Sequence, residues 1–194
     1  MIDIKKYLEK AKNKSISDNE LSQVAALLEN NNAFVDKYTL IHIIGLSGNI
    51  KYEKTINKYL ESTKDPMLAR ITLQALCSFW DKTDKYLEKV KEFIKGVKWD
   101  IDEDVRLIAM SIAGEYLRGK KNNHLITILL NILKDKHEMQ LIRETAYIAL
   151  ARASGKSWSE LPSSAKHFDL EKEIDSHVME WAISYVENVE ANGK

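Results

Sequence analysis

The chain of 194 residues is 44% hydrophobic and 30% charged, with two prolines and seven glycines, which suits a folded chain rather than a disordered one and predicts helix almost throughout. Lys plus Arg and Asp plus Glu each number 29, so the formal net charge is zero, and this weighs against duplex nucleic acid as the main ligand because phosphate binding calls for a cationic excess. The single cysteine, Cys77, excludes an internal disulfide and a Cys-based zinc site.

Residues 2–12 read as a short amphipathic helix with Ile4, Tyr7, Leu8 and Ala11 on one face. The opening residues lack the apolar core of a signal peptide, and the runs at 40–46 and 125–133 are too short to span a bilayer. The expected location is therefore the cytoplasm. Ser17 or Asp18 is placed to cap a helix over about 19–29, followed by one over 34–47 and a turn at Gly48-Asn49. Helices over 52–62 and 66–80 come next, the second opened by Asp65 as cap and Pro66 in the first turn. Two more pairs cover 84–96 with 103–118 and 122–134 with 138–154, and Gly119 and Gly155 stand where C-terminal caps are expected. A polar insertion over 155–168 precedes a final helix over about 169–189.

The second helix of each pair carries one recurring pattern. Arg106 is followed at +3, +6, +7 and +10 by Ala109, Ile112, Ala113 and Leu117. Arg143 is followed by Ala146, Ala149, Leu150 and Ala153, and Arg70 by Leu73, Leu76, Cys77 and Trp80. Lys37 anchors a weaker copy with Leu40, Ile43, Ile44 and Ser47. The anchors lie 33, 36 and 37 residues apart, the period of a stacked helical repeat. Each set occupies one helical face, the predicted core.

These repeats resemble HEAT repeats over about 18–155, on the strength of Asp102, Val105, Arg106 and Ala109, then Ile142, Arg143 and Ala146, then Asp65, Pro66 and Arg70 with Leu73 in place of the alanine. The resemblance implies an all-α, right-handed α-solenoid of about four HEAT-like helix pairs in one domain over 1–194. Residues 1–17 would form an N-terminal helical cap, 18–155 the repeats, and 156–194 a loop and capping helix. It also implies that the anchor arginines and acids tie neighbouring repeats together. HEAT-like proteins serve as scaffolds, inhibitors and a few enzymes, so the fold transfers little function.

Chemistry-bearing motifs are sparse. The five histidines make no pair four apart, and no G-x-S-x-G or H-E-x-x-H occurs. Glu173 and His177 share a face at i,i+4 and read as an exposed ion pair. No cofactor and no metal site is expected. The acids Asp100, Asp102, Glu103 and Asp104 precede a helix, where they complement its dipole and cap its amides. A catalytic aspartate of a HEAT-like DNA glycosylase is the enzymatic alternative, with Trp80 and Trp99 as aromatics for an extruded base.

The face opposite the core carries Tyr38 and His42, Ile71 and Ala75, Leu107 and Ser111, and Glu144 and Ile148 at +1 and +5. It is less charged than a solvated face, and it reads either as covered by neighbouring helices or as a stripe for a protein partner. Small HEAT-like proteins resemble immunity proteins of bacterial toxin systems. The expected function is thus non-enzymatic binding and inhibition of one protein partner, a basic toxin or nuclease domain, with no membrane. A general assembly scaffold is a further alternative. The expected contact residues are Tyr38, His42, Ile71, Leu107, Ser111, Ile148, Asp100, Asp102, Glu103, Asp104 and Trp158.

Overall fold

The computed structural model describes residues 3–30, 36–161 and 168–192. They form ten α-helices, and no strand occurs among them. The sequence reads as one domain, whereas the contacts group into two compact units, Met1–Leu87 with Lys98–Ile108 and Glu88–Val97 with Ala109–Lys194. The division falls within α6 (Thr83–Ile94) and α7 (Asp104–Gly119).

In the first unit, α1 (Ile4–Lys12) and α2 (Asp18–Glu29) both pack on α3 (Lys37–Ser47), which in turn packs on α5 (Pro66–Gln74). Ser17, rather than Asp18, caps α2: its hydroxyl accepts from the Glu20 amide at 3.3 Å, and the Glu20 carboxylate accepts from the Ser17 amide at 2.9 Å. Gly48, in the left-handed region at φ 74°, ends α3. The segment predicted as one helix over 52–62 is instead a 3₁₀ turn at Ile50–Tyr52 followed by α4 (Glu53–Asn57). The chain beyond Asn57 tightens into turns bonded three residues back, and the Tyr59 hydroxyl donates to the Leu28 carbonyl at 2.9 Å, satisfying an otherwise orphan group at the end of α2. Pro66 opens α5 as expected, but the Asp65 side chain makes no cap hydrogen bond. Helical winding continues past α5 as a π turn, Ala75–Phe79. Its wider bond, Trp80 N–H to the Ala75 carbonyl at 3.1 Å, precedes a buried Trp80 whose indole N–H donates to the Gly45 carbonyl at 2.9 Å.

Glu53 ties α4 to the start of α6. Its carboxylate accepts from Lys82, from Lys85 at 2.6 Å and from the Tyr86 hydroxyl at 2.6 Å. These hydrogen bonds, that from Lys82 foremost, hold its pKa down at about 2. A folded-state value below the ordinary 4.5 means that this stabilisation is complete above about pH 4.5 and is lost as pH falls toward 2. Glu53→Gln is expected to cost about 1–2 kcal/mol at neutral pH after allowance for solvent screening, and to flatten the loss of stability in that acid window. Urea titrations from pH 7 to pH 2.5 measure it; equal acid sensitivity of both proteins would show that the knot carries no energy.

In the second unit, α8 (Asn123–Lys134) and α9 (Gln140–Ala153) pack as an antiparallel pair, with α10 (Ser176–Asn192) against α8. Arg143 donates from Nε to the Leu133 carbonyl at 3.0 Å and pairs with Glu171 at 3.4 Å, so it closes the end of α8. Gly114 of α7 lies against the backbone of Ala149 in α9. The final helix begins seven residues later than predicted. Residues 169–175 form a hydrogen-bonded turn in which Asp169 and Glu173 bond each other's neighbourhood, and Asp175 then accepts from the His177 amide at 2.8 Å. Glu173 is therefore outside α10, and His177 faces Glu180 at 3.8 Å instead.

The +3/+6/+7/+10 faces are buried in every copy except at Ser47, the off-pattern position. Cys77 belongs to this core, where burial pushes its thiol up to about 12 and leaves it a small hydrophobe.

Candidate functional site

The side chains expected to meet a partner fall into separate settings. In the first unit Tyr38 and His42, four apart on α3, are half-buried, with ring centroids 6.3 Å apart in an edge arrangement. His42 stacks on Phe79 at 5.9 Å and 22°. Burial, and after it the Lys12 ammonium, lowers the His42 pKa from its ordinary value. Arg70 donates from Nη1 to the Tyr38 hydroxyl at 3.2 Å.

Ile71 is a correction. It is 1% exposed, and Ala75 beside it is fully buried. Helix α3 and the π turn approach so closely at Gly45 that a Cβ there would lie 2.8 Å from Ala75 Cβ. The +1 and +5 positions of this copy are core, and Ile71 offers nothing to a partner. Leu107 is half-buried.

The acidic turn divides in two. Asp100 is 3% exposed, and its Oδ2 accepts from the Val105 and Arg106 amides at 2.9 and 3.0 Å. It is the cap of α7, which removes it from the contact surface. Glu103 adopts φ 61° and pairs with Arg106 at 3.3 Å. Asp102 is exposed and Asp104 half-buried. Between Asp100 and Asp102, Ile101 projects 86% exposed.

In the second unit Ser111 and Ile148 are half-buried. Trp158 opens a 3₁₀ turn, Trp158–Glu160, and is 61% exposed. The Arg152 guanidinium lies 4.6 Å from its ring centroid. Arg152 is itself 5% exposed, bound to Glu115 at 2.8 Å and donating to the Lys156 carbonyl. Burial pushes the Glu115 carboxyl up, but Arg152 and Arg118 outweigh it and hold the group below its usual range. Beside this turn lies an open cleft of about 420 Å³, lined by Lys156, Glu160, His177 and Trp181 among others. Residues 162–167 of the predicted insertion lie outside the described residues.

Sequence reasoning overlooked Phe79, Glu115 and Arg152. All three stand at +9 from their anchors, one turn beyond the +1/+5 stripe, so continuing the i,i+4 count would have found them. It also overlooked Ile101, which no periodicity marks.

Among the described residues, no three His, Cys, Asp or Glu side chains gather as metal ligands, and no helix is long and apolar enough to cross a membrane. No protein family, curated protein or solved structure matches the chain.

Proposed function

We propose that the chain is a HEAT-like α-solenoid that binds and thereby inhibits one folded protein partner with a basic surface, in the manner of a bacterial toxin-immunity protein. The recurring anchors and the buried +3/+6/+7 faces support the repeat reading. The observation that carries the binding reading is Trp158: a largely exposed indole held in place by a buried arginine. Aromatic side chains surrounded by polar groups make interface hot spots, and one already fixed loses little entropy on docking. Asp102, Glu103 and Asp104 around the projecting Ile101 supply an apolar tip in an acidic setting, which favours a cationic partner such as a nuclease whose site receives phosphate.

The test is co-purification with the product of the neighbouring gene, followed by titration of variants with unchanged melting curves. Trp158→Ala is expected to weaken binding by about 2 kcal/mol, and Leu107→Glu by a similar amount. Charge reversal at Asp102 and Glu103 should mainly slow association and reduce its salt dependence. Unaltered affinity in all three variants would end the proposal.

A further inference from the structure

The three anchor arginines differ in what satisfies them. Arg143 holds a helix-end carbonyl and Glu171, and Arg106 holds Glu103. Arg70 meets no carboxylate among the described residues; one bond, to the Tyr38 hydroxyl, is its hydrogen-bond engagement there. A guanidinium carries five N–H donors and no acceptor, so most of its donors are unused. Tyr38 spends its oxygen as acceptor from Arg70, which leaves its own O–H free to donate. His42 makes ring contacts with Tyr38 and Phe79 and no hydrogen bond among the described residues. A half-buried cation and two further donors thus share one side of the first unit, and among the described residues no anion receives them. Partly desolvated charge without a counter-charge is costly, and an anion supplied from outside removes that cost.

We infer that Arg70, Tyr38 and His42 form an oxyanion-binding site, taking a carboxylate or phosphate group between the guanidinium and the hydroxyl, with Phe79 as the apolar wall behind His42. Arg70 supplies a planar two-donor edge that matches either group, Tyr38 a single directed donor, and His42 a ring N–H. The inference does not depend on the identity of any protein partner, because it concerns donors already assembled in the free chain.

The experiment uses the full chain with isotope-labelled histidine at pH 7. Inorganic phosphate and acetate are titrated separately while the His42 ring resonances are followed, with chloride as the ionic-strength control. A saturable shift is expected with at least one of the two anions and not with chloride. Saturation by phosphate alone assigns the site to phosphoryl groups, by acetate alone to carboxylates, and by both to oxyanions in general. Arg70→Met should weaken the response about tenfold or more, the loss of a charge-assisted pair, and Tyr38→Phe about threefold. Tyr38→Phe keeps the ring packing, so it remains informative where the arginine variant fails to fold. The absence of any saturable shift beyond that of chloride overturns the inference, and so does equal affinity in the variants that fold.

Discussion

Ala146→Asp is expected to cost about 4 kcal/mol or more, enough to unfold much of the chain at room temperature. Ala146 is fully buried in α9. A carboxylate there is cut off from water. Arg143, one turn earlier, is already committed to the Leu133 carbonyl and Glu171. The group must either ionise unpaired or pay to stay protonated, and neither route restores the lost packing. Ala109→Asp, equally buried on α7, should behave the same way. Leu141→Asp is the control. Leu141 lies in the first turn of α9 and is exposed, so an acid there meets water and the positive end of the helix, and should change stability by under about 0.5 kcal/mol. Chemical denaturation of the three variants measures these differences. A folded Ala146→Asp protein with wild-type stability would mean that the recurring alanine face is not a core.

Gly114→Ala is expected to cost about 3 kcal/mol, although alanine is the better helix former. A Cβ on Gly114 would stand 2.8 Å from Ala149 Cα and 2.9 Å from its carbonyl oxygen. Both obstructing atoms are backbone, so no side chain can swing aside and the two helices must separate. Separation sacrifices dispersion contacts along the whole crossing, because interiors are packed to near crystalline density. Gly119, at the end of the same helix, meets nothing within 4 Å, and its φ is not in the left-handed region. Gly119→Ala should therefore stabilise the chain by about 0.5 kcal/mol, through helix propensity and a less flexible unfolded state. The same substitution, five residues apart, is thus expected to change sign. Melting temperatures read side by side decide the matter, and a stabilising Gly114→Ala would show that the α7–α9 approach is looser than described.

The repeating pattern alone determined that the chain is helical, where most helices start, and which face of each second helix is buried. Those properties follow from a period of 3.6 residues and from local capping chemistry, both written in neighbouring residues. Ala109, Ala146, Leu73 and Trp80 could be assigned to the core on spacing. The fate of the opposite face could not. Ile71 and Tyr38 occupy the same +1 position, yet one is core and the other half-buried. Asp100 and Asp102 stand two residues apart in one acidic run, yet the backbone turn makes the first a buried cap and leaves the second in water. Trp80 and Trp158 are the same residue type with opposite burial: the first donates to the Gly45 carbonyl inside the fold, and the second lies exposed against an arginine anchored to Glu115. Periodicity is a property of one helix, whereas the burial of Trp80 against Gly45 and the pairing of Arg152 with Glu115 depend on atoms brought together from more than thirty residues away. Only the tertiary structure contains that information.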